Sequence, residues 1–491
     1  MFSRYLSLLS APWPTSPPAN VRVVPCTGVD LYGRNVVLTT GFVIDGCLDT
    51  KKLEHSLTLL VERKFPRAGA RLALRNNNYE FQIPNTFDAQ TPAVAFTAAE
   101  YSEPYASSMR PPIRHLWNAT SSKPWICSAP PIEAYLRNHS CPGSLDAFLV
   151  PNTPLMHVHA TVFDDLTFLG ITSTHVAFDA LGISTLMHGW QRVLAGDAWD
   201  DIAGMPWDAV PFGTFTTTPT QARVCQRGLF DLGLLAKLAF VVCFGLSILR
   251  DPKEENMVVR VPKVFLEDKK REIMEELKAV GSEEWVGSSD VLMAWWFKTS
   301  YTHRTDATPL HIHLPVNLRD MSIFPVACGT NELAPISTPY INNAVLSIAI
   351  PPLPANTLRN MSLRDLTLHF RRAIIAYKNA LDGIRADVRS LCAHPLAMIF
   401  PCPPGAEYSS QTNWRKGRFA EVDFSGASVG EPGSSPPARV RFVTTIWSGT
   451  RMPLRGTGVV LFEDEQAVWM RQIRGVNDWK RAKKAGEFEF A

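Results

Sequence analysis

The chain carries no large excess of charge of either sign. Its 491 residues include 49 lysines and arginines against 46 aspartates and glutamates, which leaves a formal net charge of +3. No basic run is interleaved with aromatic residues, so nucleic acid is not an expected partner. The hydrophobic content of 46% and the charged content of 19% are typical of a globular protein with enough apolar material for a sizeable core.

The sequence also lacks paired cysteines. Its cysteines form no Cys-x-x-Cys motif, their number is odd, and they are spaced irregularly, at positions 26, 47, 127, 141, 225, 243, 328, 392 and 402. This pattern indicates reduced, mostly buried thiols rather than a disulfide framework. Met1–Pro12 lacks the long apolar core and the clear cleavage site of a signal peptide. We therefore expect a cytoplasmic protein.

A hydrophobic run long enough to cross a bilayer is missing as well. The most apolar segment lies within Leu229–Leu249, of which Leu238–Leu249 is uncharged. Asp231 and Lys237 lie upstream, so the apolar part falls short of the roughly 20 residues that a spanning helix needs. A buried or interfacial helix is the favoured interpretation. Peripheral membrane contact through Leu238–Leu249 is the second, and a true span is the third.

The length of the chain favours two domains, because a single core rarely accommodates so many residues. The segment from Asp197 to Thr220 is rich in Gly, Pro and Thr, a composition typical of a connection between domains. We divide the chain into an N-terminal lobe over 1–196, a crossover over 197–256 that contains the apolar segment, and a C-terminal lobe over 257–491.

Hydrophobic periodicity predicts strands and helices in both halves. Strands are expected at 35–44, 147–150, 156–162, 258–262, 311–319, 441–446 and 458–462. Helices are expected after the N-cap Asp49 and from about Glu267 to Ala279. Two more are expected from Ser288 to Phe297 and from Ser362 to Gly383. The mixture predicts an α/β protein.

One stretch joins a buried strand to a helix, with a histidine at the junction. Phe168–Thr174 is apolar and β-branched, and the following segment repeats apolar residues at helical spacing. His175 lies between them, where a side chain is held rigidly and still faces a cleft. Histidine has the unperturbed pKa that suits proton abstraction near neutral pH. Asp179 is close enough to brace this turn or to pair with a distant cation. The alternative interpretation is a core histidine beside a turn carboxylate.

The spacing His175-x-x-x-Asp179-x-x-Gly182 resembles the active-site motif of the coenzyme A-dependent acyltransferases called BAHD enzymes. The likeness is closest to the fungal branch that acylates terpenoid, meroterpenoid and trichothecene hydroxyls. The segment Phe65–Leu72 partly matches the family's first-helix exit, with Ala70 inserted between the glycine and the arginine.

A more distant segment, Val316–Asp320, resembles the family's arginine strand. In the family this arginine pairs with the motif aspartate. The resemblance therefore implies that Arg319 binds Asp179 and fixes the turn that aims His175. The family's following Gly-Asn corresponds to Gly329-Thr330-Asn331, in which a threonine is inserted.

Two further segments follow in the family's order. Thr412-Asn413-Trp414 resembles its Ser/Thr-x-Trp motif. Asp423-Phe424-Ser425-Gly426 resembles its Asp-Phe-Gly-Trp-Gly loop, although serine replaces the first glycine and the tryptophan is absent. In the family this loop is structural and shapes the coenzyme A channel.

The resemblance implies two chloramphenicol-acetyltransferase-like α/β sandwich lobes, joined by a crossover segment, with an active-site channel between them. It also implies an acyl-CoA-dependent O-acyltransferase in which His175 is the general base, supported by Gly182, Arg319 and Asp423. An oxyanion needs donors aimed at it. Thr412 is the best candidate, Asn413 is a weaker one, and Trp414 lines the substrate site. The expected partners are acyl-CoA, above all acetyl-CoA, and a hydrophobic hydroxylated small molecule. We expect a monomer without a permanent cofactor or metal.

Other signals give weaker alternatives. Gly426–Gly430 spells Gly-x-Ser-x-Gly, but the Pro-rich segment after it is incompatible with the helix that a nucleophile elbow requires. The pairs His157/His159 and His311/His313 lack a nearby carboxylate or thiol that would complete a metal site. A condensation-type enzyme using a carrier protein usually has two adjacent histidines, whereas Thr174 precedes His175 here. A non-catalytic binding protein on the same fold is the remaining alternative.

Overall fold

The computed structural model describes residues 19–106, 110–118, 121–216, 226–326, 332–430, 437–450, 453–485 and 488–490. Within them the helices are α1 (Thr50–Lys64), α2 (Arg114–Asn118), α3 (Glu133–Leu136), α4 (Leu145–Phe148), α5 (Ala180–Ala195), α6 (Leu234–Arg250), α7 (Lys263–Ala279), α8 (Ser288–Ser300), α9 (Ala355–Asn360), α10 (Leu363–Asn379), α11 (Leu381–Ala393) and α12 (Val476–Ala485).

The strands of the same ranges are β1 (Val21–Pro25), β2 (Val37–Asp45), β3 (Arg71–Arg75), β4 (Asn78–Pro84), β5 (Ala95–Glu100), β6 (Trp125–Ser128), β7 (His157–Val162), β8 (Leu166–Thr174), β9 (Glu254–Pro262), β10 (Pro309–Asn317), β11 (Phe324–Pro325), β12 (Leu333–Ala334), β13 (Val345–Pro354), β14 (Glu407–Asn413), β15 (Val440–Ser448), β16 (Thr457–Glu463), β17 (Ala467–Gly475) and β18 (Glu489–Phe490).

Two large sheets organise the described residues. One has five strands in the order β15-β2-β8-β7-β5, and the other has eight in the order β13-β10-β14-β16-β17-β9-β6-β18. Smaller sheets are formed by β1-β4-β3 and by β11-β12. One continuous hydrophobic core contains side chains from both large sheets. The α/β class predicted from the sequence is confirmed.

Each large sheet contains a strand from the other half of the chain. β15 pairs antiparallel with β2, so a late segment completes the sheet that carries His175. β6 pairs antiparallel with β9, so an early segment joins the eight-stranded sheet. The division at residues 196 and 257 stays a prediction.

Local sequence signals account for several helix ends. Asp49 caps α1 by accepting hydrogen bonds from the N–H groups of Lys51 and Lys52, as predicted. The prediction of a strand at 147–150 is wrong, because Ser144 accepts a hydrogen bond from Ala147 N and starts α4 instead. The predicted end at Gly383 is also wrong: α10 ends at Asn379, and Gly383 lies inside α11.

The apolar segment forms α6. The favoured interpretation is a buried or interfacial helix, and its buried alternative is wrong, because Phe240 is the residue of this helix with a buried side chain. Among the described residues, no helix has both the length and the apolar character that crossing a bilayer requires. The inner face of α6 packs on Phe230, Leu232, Phe400, Cys402 and Tyr408.

Candidate active site

His175 follows directly after β8, a strand whose residues are all buried. Its backbone N–H donates to Val36 O at 2.9 Å, which joins this turn to the segment before β2. The imidazole is half-buried, and its Nδ1 has no hydrogen-bond partner among the described residues. The backbone of His175 is therefore fixed at the end of the sheet, while Nδ1 of its ring makes no hydrogen bond to the described residues.

Asp179 is buried and accepts four hydrogen bonds. Its Oδ1 caps α5 through Gly182 N at 2.8 Å and accepts from Arg319 Nη2 at 2.9 Å. Its Oδ2 accepts from Arg319 Nη1 and from Ala344 N, each at 2.9 Å. Both carboxylate oxygens are thus occupied by donors, and the carboxylate holds the turn that carries His175 in a bidentate pair with Arg319.

The guanidinium of Arg319 is itself fixed on its remaining sides. Nε donates to Tyr340 O at 2.7 Å, Nη2 donates to Asn342 O at 2.6 Å, and Nη1 donates to Asn317 Oδ1 at 3.0 Å. The corresponding family feature Gly329-Thr330-Asn331 lies outside the described residues.

Two adjacent asparagines, Asn342 and Asn343, were not found by sequence reasoning. Both are fully buried. Asn342 Nδ2 donates to Ala177 O at 2.9 Å, inside the turn between His175 and Asp179. Asn343 Nδ2 donates to Val29 O and Tyr32 O, each at 2.9 Å, and so holds the loop that precedes β2. Two adjacent amides are visible in the sequence, but nothing local identifies the carbonyl oxygens to which they donate.

Two glycines permit close approaches at this turn. A Cβ at Gly182 would overlap the carbonyl oxygen of Ile341, so the first turn of α5 can lie against this backbone only with glycine there. Gly33 has φ +78° and lies over the imidazole, where a Cβ would be 3.6 Å from Cγ and Nδ1 of His175. The left-handed backbone at Gly33 suits glycine in particular.

The opposite wall of the site comes from the eight-stranded sheet. β10, β14 and β16 run parallel, with His313 opposite Ser410 and Thr412 opposite Val459. Their carboxyl ends therefore lie at one edge. Thr412 is half-buried, Asn413 is exposed and Trp414 is buried. The backbone N–H of Trp414 donates to Val460 O at 2.8 Å.

A cavity of about 260 Å³ brings these walls together. His175, Thr412, Asn413 and Trp414, predicted from distant parts of the sequence, all line it. The rest of the lining is mainly apolar. Sequence reasoning missed the further polar lining residues, which are Tyr32, Asn317, Ser410 and Thr457.

Asp423 lies elsewhere. It is exposed and accepts a hydrogen bond from Ser425 N at 2.8 Å, and its own N–H donates to Gln191 Oε1 at 3.0 Å. The neighbouring Phe424 packs edge-on against Trp190 of α5, with ring centroids 5.4 Å apart. The loop therefore contacts α5 and contributes no lining to the cavity.

The electrostatics keep the imidazole neutral. Burial lowers the pKa of His175, and the negative charge of Asp179 opposes this shift. Because the lowering by burial is the larger effect, a neutral ring that can accept a proton is the form present near neutral pH.

One histidine of each other pair is engaged in structural contacts. His159 lies between Thr97 Oγ1 at 2.8 Å and Thr161 Oγ1 at 3.2 Å, and His313 Nε2 donates to Pro401 O at 2.7 Å. In the described ranges, no group of three or more His, Cys, Asp or Glu side chains is placed to hold a metal ion.

Relatives in sequence are fungal and match over most of their length. The acetyltransferase adrJ of Penicillium roqueforti is 25% identical over 458 residues, covering 88% of this chain and 87% of that protein. The acetyltransferase pyiB of Pyricularia grisea is 25% identical over 491 residues, covering 94% and 92%. A further relative, named transcriptional regulator calD, from Penicillium decumbens, is 26% identical over 480 residues, covering 92% of each chain. No family model matches the sequence.

Solved structures share the fold. The structure of TRI101 from F. sporotrichioides, complexed with coenzyme A and T-2, superposes with a TM-score of 0.63 at 14% identity, covering 94% of this chain and 97% of that one. Vinorine synthase superposes with a TM-score of 0.58 at 15% identity, covering 97% of each.

The chain is similar to fungal acetyltransferases in sequence and to TRI101 and vinorine synthase in fold. The predicted resemblance to BAHD-like acyl-CoA-dependent acyltransferases is confirmed. Within that class the chain is similar to fungal acetyltransferases and O-acyltransferases, as the resemblance implied.

Proposed function

We propose that this protein is an O-acetyltransferase that moves the acetyl group of acetyl-CoA to a hydroxyl of a hydrophobic secondary metabolite, such as a terpenoid or meroterpenoid. The observation that carries the proposal is the meeting of His175 and Thr412 in one cavity, with the histidine turn fixed by the Asp179–Arg319 pair. The acetyltransferase names of the relatives and the coenzyme A bound to TRI101 support the donor.

The mechanism follows from the weakness of an alcohol as a nucleophile. Neutral His175 removes the hydroxyl proton as the oxygen attacks the thioester carbonyl. The tetrahedral intermediate then expels coenzyme A as a thiolate, and the imidazolium returns the proton to the departing sulfur. No covalent acyl-enzyme is needed. Asp179 and Arg319 are positioning residues in this scheme.

The Thr412 hydroxyl is our candidate donor to the oxyanion. It makes no hydrogen bond to another described residue, so it remains available to a ligand in the cavity. Asn413 is less suited, because its Oδ1 accepts from Arg415 N at 3.1 Å and its Nδ2 donates to Ser289 Oγ at 3.4 Å.

The acceptor class is supported by the cavity lining. Val36, Leu38, Leu181, Val345 and Trp447 present apolar surface around the histidine. Such a lining favours an acceptor whose hydroxyl is carried on an apolar skeleton, because burying apolar surface supplies most of its binding free energy.

The Thr412 role predicts the effect of Thr412→Val. Losing one oxyanion donor costs about 100-fold or more in kcat, and we expect that loss with little change in KM for acetyl-CoA. Thr457→Val is the matched control, since Thr457 lines the same cavity but donates its hydroxyl to Leu454 O at 2.5 Å. Equal kcat values for the two variants would remove Thr412 from the mechanism. Steady-state kinetics with varied acetyl-CoA make the measurement.

The pH dependence of turnover is a second prediction. Because burial lowers the pKa of His175, the base becomes protonated at a lower pH than an ordinary histidine does. We expect kcat/KM to be constant from about pH 7 to pH 8 and to fall at a midpoint below about 6.5. A midpoint at or above 7 would contradict the assignment.

The titration of Asp30 must be distinguished from that of His175 in the acidic limb of this pH profile, where kcat/KM falls. Burial raises the pKa of Asp30 to about 6, and the residue lies in the loop that carries Gly33. Asp30→Asn is the control for the pH profile, because it removes this second titration and keeps an oxygen for the donors of Thr27. We expect the acidic limb to persist in the variant. Loss of the limb would assign it to Asp30.

The direct test of the function is thiol release from acetyl-CoA with a panel of hydroxylated terpenoids and product mass by mass spectrometry. Acceptor-dependent release with an added acetyl mass supports the proposal. Binding of the panel without any release would favour the non-catalytic alternative. Acylation only from a carrier-protein thioester would favour the condensation-type alternative.

We also propose a monomer in the cytoplasm, with peripheral membrane contact through Leu238–Leu249, and the three-part division of the chain at residues 196 and 257. The balance of charges and the unpaired pattern of cysteines support the location.

A further inference from the structure

The outward face of α6 is a continuous apolar stripe. Its members recur at spacings of one, three and four residues along the whole helix, which places them on one side of it. Each is between 46% and 81% exposed: Leu234, Leu235, Leu238, Val241, Val242, Leu246 and Leu249. No charged residue falls within this stripe. Leu396 and Met398, at 52% and 66% exposure, lie shortly before Phe400, which packs on the same helix.

The stripe is held rigidly on the protein. On the inner face, Phe240 packs edge-on against Phe400, with ring centroids 4.8 Å apart. At the C-terminal end, Arg455 donates to Ser247 O at 3.3 Å and to Asp251 O at 2.7 Å. The helix cannot turn its apolar face inward without breaking these contacts, so its exposure belongs to the fold.

Basic residues border the stripe. Lys237 lies in the first turn of α6, Arg250 is its last residue, and Lys253 follows it. Asp231, which is exposed, precedes the helix at the other end.

Helix α12 adds a second group of cations at the same end. It begins beside α6, because Asp251 accepts hydrogen bonds from Asn477 N and Asp478 N, each at 3.1 Å. Four of its exposed residues are basic: Lys480, Arg481, Lys483 and Lys484. Arg481 also lines one cavity together with Leu246 and Arg250 of α6.

The acidic groups at this junction are already engaged. Asp251 is buried and accepts from the start of α12, and Glu254 pairs with Arg455 at 3.2 Å. Asp478 pairs with Arg474 at 2.6 Å, with His303 at 3.0 Å and with Arg481 at 3.5 Å. The net character of this end of the surface is therefore cationic.

We propose that α6 and α12 form a docking surface for an anionic phospholipid membrane. The apolar stripe enters the headgroup region while the flanking lysines and arginines contact lipid phosphates and carboxylates. The charge pattern favours this occupant over a second copy of the chain, because a symmetric contact between two α6 stripes would bring like-charged flanks together. The proposal is independent of acyl transfer.

The test is sedimentation of the full chain with two kinds of vesicle, phosphatidylcholine alone and phosphatidylcholine with phosphatidylserine. We expect tighter binding to the anionic vesicles. Leu238→Glu/Val242→Glu should weaken that binding by about tenfold or more, since charge replaces apolar surface at the stripe. The matched control is Val280→Glu, at an exposed valine just beyond α7, which should bind as the wild type does.

The contribution of charge is tested on α12. Lys480→Gln/Lys484→Gln should weaken binding to anionic vesicles by about 30-fold, at about 1 kcal/mol for each basic residue near the surface, and should scarcely change binding to neutral vesicles. Lys278→Gln, on α7, is the control for a single exposed lysine elsewhere.

Two results would overturn the proposal. One is vesicle binding that is equal for the wild type and the α6 variant. The other is a lipid-free dimer, detected by analytical ultracentrifugation, that Leu238→Glu abolishes without any vesicle binding by the wild type, which would identify a second copy as the occupant. His175→Ala should bind vesicles as the wild type does, so failure of the surface and failure of the catalytic proposal are distinguishable.

Discussion

His175→Ala is expected to lower acceptor-dependent thiol release from acetyl-CoA on the order of 10³-fold, because general-base catalysis contributes about 10²–10⁴-fold. KM for acetyl-CoA should change little, since the imidazole acts on the acceptor hydroxyl and leaves the nucleotide untouched. The measurement is steady-state release of the thiol at saturating acceptor, with product mass followed in parallel.

The control for this substitution is His369→Ala. His369 is on α10 and its Nε2 donates to Pro351 O at 2.9 Å, and it does not line the cavity that contains His175. Its loss should leave turnover unchanged. Thermal unfolding of both variants shows whether either substitution causes a general loss of folding. If His175→Ala keeps the rate of the wild type, His175 is not the base.

Arg319→Ala is expected to have the second large effect. It leaves the buried carboxylate of Asp179 without its cation and also leaves Tyr340 O and Asn342 O without the donors that Arg319 provides. Removing one partner of a buried ion pair costs about 3–5 kcal/mol. We expect a lower thermal midpoint together with a large fall in kcat, because a displacement of the His175 turn by about 1 Å can cost 100-fold in rate.

The substitution Arg319→Lys distinguishes a positioning role of Arg319 from a purely structural one. Lysine keeps the charge but cannot form the bidentate pair with Asp179. We expect the thermal midpoint to recover in part while kcat stays low and KM for acetyl-CoA stays near its original value. Parallel recovery of stability and kcat would instead describe a merely structural arginine.

The surface pair Arg372–Glu284 supplies a matched control. It is also bidentate, with Arg372 Nε and Nη2 donating to the carboxylate at 2.8 and 2.6 Å, but it is exposed. Arg372→Ala should change neither the thermal midpoint nor turnover appreciably, because exposed pairs are screened by solvent.

The residues of the candidate site could be predicted because the resemblance depends on residue type and order along the chain. His175, Asp179 and Arg319 form the contacts that the resemblance implied, across 140 residues of sequence. The asparagines at 342 and 343 could not be predicted in the same way. An amide in a loop has no preferred partner until the tertiary structure brings carbonyl oxygens to it, here those of Ala177 and Tyr32.

The errors in the fold have a similar origin. An apolar segment such as α6 is compatible with a buried or an interfacial helix, and no local signal distinguishes a helix whose face stays exposed. The apolar residues at 147–150 predicted a strand. The hydroxyl of Ser144 instead caps a short helix there. The exposure of α6 and the helix at 145–148 were therefore determined by tertiary contacts and by a single cap, and not by average propensity.

The pairing of β15 with β2 has a consequence for synthesis on the ribosome. While residues up to 430 are being made, β2 can pair with β8, but the edge that β15 occupies stays open until residues 440–448 have left the exit tunnel. An open strand edge is a site of wrong pairing with other chains. The sheet that carries His175 therefore reaches its final form only after residues 440–448 have been made, and a fragment that stops before β15 would expose this edge for as long as it exists.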